Sequence, residues 1–191
     1  MLHSVYITPV MYLDPSGEFA LFFVTAIFGA IFGAVVGGIE AYINGENLWG
    51  GIIQGFLVGG ALGFAFGTGV AFLGPMLASA GAGTLTSTAI LSAVYSFAGS
   101  TIISFSAAAI GYTINEELNN RNARLRDVLG FSSLIAVESM INYTWGGIVG
   151  QFGKVGELNF PKPEWFGKQA MYRVFASPGV YLIDKVIDIL Y

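Results

Sequence analysis

Residues 19–73 read FALFFVTAIFGAIFGAVVGGIEAYINGENLWGGIIQGFLVGGALGFAFGTGVAFL, and the only charged side chains among them are Glu40 and Glu46. The chain then carries no charge from residue 47 to residue 115. A hydrocarbon core about 30 Å thick is crossed by about 20 apolar residues in a helix. Residues 19–115 therefore have room for three crossings. The fold class implied is all-α: a membrane-inserting module of two or three hydrophobic helices, the first two a glycine-striped hairpin, followed by amphipathic C-terminal helices.

Residues 19–39 form an unbroken apolar run with twelve Phe, Leu, Ile or Val side chains. Each contributes roughly −0.3 to −0.6 kcal/mol near the middle of an inserted helix, so insertion is favourable by a few kcal/mol. Asn44, Gly45, Glu46 and Asn47 supply a polar turn. The second segment, residues 48–73, is expected to stop near Gly74-Pro75, because proline lacks a backbone donor and disfavours helix in the residue before it. A small-residue link at 78–83 and a third segment at 85–114, richer in Ser and Thr, complete the apolar tract.

Charge returns abruptly after Asn115, with Glu116, Glu117, Arg121, Arg124, Arg126 and Asp127 close together, which reads as a water-facing helix. Residues 129–143 read as an amphipathic helix. At 100° per residue Ser132, Glu138, Ser139 and Asn142 share one side and Leu134, Val137, Met140 and Ile141 the other. The expectation is a helix lying on a membrane, with Glu138 and Asn142 on its solvated face. Residues 146–163 read as loop and 164–175 as a short helix. Ser177 and Pro178 then cap a packed helix that runs to Tyr191.

Small residues recur every four positions in all three apolar segments. Gly29, Gly33 and Gly37 do so in the first, and Gly55, Gly59, Gly63 and Gly67 in the second. Thr84, Thr88, Ser92, Ser96, Ser100 and Ser104 are the polar counterpart in the third. In lipid the hydrophobic effect does not draw helices together, so close backbone approach and interhelical hydrogen bonds must do so. A four-residue stripe favours right-handed crossing. The glycines serve packing within the chain or a self-oligomer. The hydroxyls either bond back to carbonyls one turn earlier or line a water-filled path.

The wider composition narrows the function. The chain has 191 residues, is 54% hydrophobic and only 10% charged, and contains 27 glycines, with a mean hydropathy of +0.69. A soluble domain carries roughly 25% charged residues. All eight Lys and Arg lie after residue 120 and the net charge is −4, which argues against nucleic-acid binding. There is no cysteine for a disulfide or a thiolate metal site, and His3 is the single histidine. No catalytic triad, cofactor or metal is expected. No Gly-Lys-Ser or Gly-Lys-Thr follows the glycine runs, so they are not phosphate loops. No enzyme is implied. The amino end has no basic n-region, and no signal peptide is expected.

Residues 8–17, Thr-Pro-Val-Met-Tyr-Leu-Asp-Pro-Ser-Gly, resemble the end of the core domain of Rhs-repeat proteins. There an Asn-Pro-Val segment leads to Asp-Pro-x-Gly and a variable C-terminal module begins. Asp14, Pro15 and Gly17 carry the motif, which in some members is a processing site. The resemblance makes residues 1–18 core end and linker, and the hydropathy and charge pattern divides the rest into 19–115 as the membrane-inserting region and 116–191 as an amphipathic helical region. It further implies a polymorphic toxin module with an Rhs carrier shell and a cognate immunity protein.

Joined to the apolar tract, these features lead to the expectation of a toxin secreted or delivered to a target cell, where it inserts into the lipid bilayer and makes pores or ion leaks. Arg121, Arg124 and Arg126 after the third segment orient it by the positive-inside bias, with those arginines in the cytosol and the amino end outside. A structural membrane anchor without a conduit is the alternative. A small enzyme within residues 116–191, delivered by the hydrophobic part, is a third reading.

Overall fold

The computed structural model describes residues 18–152, which form helices joined by short turns, with no strand among the described residues. The helices are α1 (Glu18–Asn44), α2 (Leu48–Thr68), a π-helical turn (Gly69–Leu73), α3 (Gly74–Gly81), α4 (Ser87–Leu118) and α5 (Leu125–Phe152). The motif containing Asp14, Pro15 and Gly17, His3, and the helices expected at 164–175 and 178–191 lie outside the described residues. Three helical stretches are long and apolar enough to cross a membrane: Leu21–Asn44, Leu48–Gly81 and Ser87–Leu118.

Three helices end in the same way. Gly45, Gly83 and Asn120 adopt φ of +67°, +70° and +55°. The next residue's N–H then reaches back five positions: Glu46 to the Ala41 carbonyl (2.8 Å), Thr84 to Ser79 (2.9 Å) and Arg121 to Glu116 (2.8 Å). This left-handed cap satisfies carbonyls that the helix end would otherwise leave open. Each turn reverses the chain within a few residues. Asn47 starts α2 by accepting from the Trp49 and Gly50 N–H groups, and the Thr86 hydroxyl starts α4 by accepting from the Ala89 N–H. Both side chains fill the role that short polar residues play at helix starts.

The second apolar segment does not stop at Gly74-Pro75, as the sequence led us to expect. It continues to Gly81 as one helical stretch. The reason is the π turn before the proline. The Gly74 N–H donates to the Gly69 carbonyl five residues back, and Pro75 then falls in the first turn of α3. A missing donor costs little there and the fixed φ suits the helix. The link moves to residues 82–86. Two further corrections concern the polar region. Glu116 and Glu117 close α4 instead of beginning a water-facing helix, and residues 146–152, expected as loop, complete α5.

The long second stretch is the axis of the bundle. The α1–α2 hairpin is antiparallel, with Gly29 beside Gly59 and Gly63, Gly33 beside Gly55 and Gly59, and Gly37 beside Gly51 and Gly55. A Cβ placed on Gly29, Gly33 or Gly37 would fall on the carbonyl of Gly59, Gly55 or Gly51 respectively. No side chain fits between the two backbones. On other sides of the same stretch α4 runs antiparallel, with Gly111 against Gln54 and Gly50 against Asn115, and α5 runs parallel, with Gly146 against Phe66 and Gly150 against Val70.

Because the obstacle at Gly29, Gly33, Gly55 and Gly59 of the α1–α2 seam is backbone, enlargement there cannot be relieved by a rotamer change. Gly55→Leu is expected to destabilise the chain by about 1–3 kcal/mol, whereas Ile31→Leu on the outward face of α1 should stay within about 0.5 kcal/mol. Thermal unfolding in detergent micelles, followed by circular dichroism, measures both. Equal melting curves for the two variants would contradict the close-contact account.

Candidate functional site: a polar interior beneath an apolar surface

Apart from Phe66, Val70, Ile135 and Tyr143, the buried residues of this bundle are small or polar, and most of the large apolar ones point outward. Ser100, Ser104, Asn115, Ser132, Glu138, Ser139 and Asn142 are all buried, beside Ala61, Ala65, Ala93 and Ala108. Ile27, Val35 and Ile39 of α1, Trp49 and Phe56 of α2, and Val94 and Ile102 of α4 are exposed. α5 shows the inversion most plainly. Its polar side, with Glu138 at 7% exposure and Ser139 at 0%, faces inward, while Leu134, Val137 and Ile141 stand 43–53% exposed. The expected solvated face around Glu138 and Asn142 is therefore corrected: it is the packed face. A buried polar group needs a hydrogen-bond partner, and neighbouring helices supply partners that an apolar exterior does not.

The contacts inside follow from that need. Tyr143 projects from α5 into α4, where its hydroxyl donates to the Ala93 carbonyl at 2.7 Å and lies 2.7 Å from the Ser96 Oγ. Its ring meets Phe97 edge-on at 5.3 Å, the geometry that aromatic pairs favour. The Ser139 hydroxyl donates to the Ser100 carbonyl at 3.4 Å, and Ser104 donates to Ala61 at 3.4 Å. Both are long, weak bonds. The buried Ser132 Oγ and Trp145 Nε1 have no hydrogen-bond partner among the described residues.

The serine and threonine stripe divides along α4. Thr84 lies in the link before the helix, exposed, with its hydroxyl donating to the Ser79 carbonyl at 3.3 Å. Thr88 is exposed in the first turn and Ser92 is partly buried. Ser96, Ser100 and Ser104 enter the interior. Of these, Ser96 and Ser100 bond back to Ala93 and Phe97, each at 3.0 Å, Ser96 also meets Tyr143 of α5, and Ser104 reaches Ala61 of α2. In the glycine stripes, Gly29, Gly33, Gly37, Gly55, Gly59 and Gly63 line the hairpin seam, and Gly67 ends it against Phe22 and Thr25.

One end of the bundle holds a polar cluster that the sequence reading passed over. The Asn47 N–H donates to the Asn119 Oδ1 at 2.6 Å, and the Asn119 amide donates to the carbonyl and Oδ1 of Asn115 at 2.9 and 3.0 Å. This ties the 45–47 turn to the 119–124 loop. Arg121 then spans both, 2.8 Å from Glu46 and 2.7 Å from Glu116. Hydrogen bonds to Glu46 and then to Glu116 raise its pKa above the ordinary arginine value, so it is charged throughout the accessible pH range. At the opposite end, residues 82–86 carry no charge. The overlooked signal was the density of Asn and Glu in both turns, which only a hairpin topology brings together.

No family model, curated protein or solved structure matches this chain.

Asn119→Ala strands the Asn47 N–H and the Asn115 side chain, and should cost about 1–3 kcal/mol. Arg121→Gln removes only partly exposed ion pairs. We expect a smaller loss, one that shrinks further in concentrated salt. Unfolding midpoints for the two variants at low and high ionic strength test the ordering.

Proposed function

We propose that residues 19–191 are a membrane-inserting module that dissipates the ion gradients of a target bacterial cytoplasmic membrane, as the toxin module of an Rhs-type polymorphic toxin. The observation that carries the membrane part is the inversion of polarity: hydroxyls, amides and Glu138 inside, large aliphatic side chains outside. Water outside would reward the opposite arrangement. The toxin part draws on the resemblance of residues 8–17 to the end of an Rhs core. On that reading an Rhs carrier shell shields the apolar surface before delivery, and an immunity protein protects the producing cell.

A second reading, a membrane anchor without a conduit, gains support from one observation. The glycine stripes and the inner half of the serine stripe are occupied by contacts within the chain, so no described helix turns a polar stripe outward toward a pore shared between copies.

Vesicles of phosphatidylethanolamine and phosphatidylglycerol with a potassium gradient and a voltage-sensitive dye separate the two. The leak reading expects the potential to collapse on addition of protein while entrapped carboxyfluorescein is retained. Stable insertion with the potential intact establishes the anchor and rejects the leak.

A further inference from the structure

We infer that α5 is a fourth membrane-crossing helix whose apolar face contacts lipid acyl chains, so that the start of α1 at Glu18 and the end of α5 at Phe152 lie at the same side of the bilayer. The inference rests on the insertion reading above but not on any ion leak.

Hydropathy passes over α5 because Ser132, Glu138, Ser139 and Asn142 lower its average. The structure shows that these groups contribute nothing to the outer surface. What α5 presents outward is mainly Leu129, Leu134, Val137, Met140, Ile141 and Ile148, together with Ser133 and Thr144, whose hydroxyl donates back to the Met140 carbonyl at 2.8 Å, continuous in character with the exposed faces of α1, α2 and α4. Its 28 residues extend about 42 Å, beyond the roughly 30 Å of hydrocarbon. After Arg126 and Asp127 at its start, Glu138 is its one acidic or basic side chain, and that side chain is buried. Intramembrane acids are tolerated where they face a bundle interior.

Depth is fixed by packing. Near the charged end Phe131 stacks on Tyr112 at 5.4 Å. At the far end a Cβ on Gly74 would come within 3.0 Å of the Gly150 backbone. Gly74 lies 26 residues beyond Leu48 in the same helical stretch, about 39 Å along its axis. A helix that touches the second stretch at that height has travelled the full depth that the second stretch travels. Were α5 on the membrane surface instead, Gly69, Gly146 and Gly150 would lose their backbone contacts, and Ser139 and Tyr143 would leave their partners on α4.

The absence of cysteine allows a direct test in the full chain, expressed in bacteria, with a membrane-impermeant maleimide applied to intact cells and to inverted membrane vesicles. Single variants Ala82→Cys, Asn122→Cys and Gln151→Cys each replace an exposed residue. We expect Gln151→Cys to label from the same side as Ala82→Cys, and Asn122→Cys from the opposite side. A fluorophore on Val137→Cys is expected to be quenched more strongly by lipids spin-labelled in mid-chain than by lipids labelled at the headgroup. Labelling of Gln151→Cys from the Asn122 side, or stronger headgroup quenching at Val137, overturns the fourth crossing while leaving the other three. Labelling of Ala82→Cys and Asn122→Cys from one side overturns the insertion reading itself.

Discussion

Backbone laid directly on backbone is the contact on which the rest of this structure depends. The second helical stretch uses glycine in three directions at once: Gly51, Gly55, Gly59 and Gly63 toward α1, Gly50 toward Asn115 of α4, and Gly69 and Gly74 toward α5. Such contacts place many atoms at van der Waals distance and let carbonyls and hydroxyls of adjacent helices meet. They are the main source of association when the surroundings are as apolar as the side chains. With the axis fixed in this way, the interior is thin. Ala, Ser and Asn fill most of it, Phe66, Val70, Ile135 and Tyr143 are the large side chains buried there, and most other Phe, Ile and Val turn outward.

That exclusion explains the polarity of α5. A helix with one polar and one apolar side has two stable placements, and the choice depends on what lies beyond the bundle. In water the apolar side packs inward. Here Ser139, Asn142 and Glu138 face the interior, and Tyr143 reaches across to Ala93 and Ser96. The turns obey the complementary rule. Glu46, Glu116, Asn119 and Arg121 gather at one end, where water is available to solvate whatever they leave unpaired.

The π turn before Pro75 shows packing overriding a local signal. A proline in mid-helix normally interrupts the chain, yet here one extra residue in the preceding turn shifts the donor pattern and the helix proceeds. The widened turn coincides with the place where Gly69 meets Tyr143 and Gly74 meets Gly150. Insertion of a residue rotates the side chains after it around the axis. Gly74 is thereby turned to the same neighbour as Gly69, five positions earlier.

The helical class, the turn at residues 44–47, the three apolar stretches and the close spacing of Gly29, Gly33, Gly37, Gly55, Gly59 and Gly63 were legible in the amino-acid sequence. They are consequences of local composition and of a period that any helix must express. The extension of the second stretch past Pro75, the reach of α5 to Phe152 and the cluster joining Asn47, Asn115, Asn119 and Arg121 were not legible, because each depends on a neighbour distant in sequence. Above all, periodicity located both faces of α5 but could not say which one turns inward. A helix divides into the same polar and apolar sides in water and in lipid, and which side the bundle covers is decided by its packing partners together with the medium beyond them.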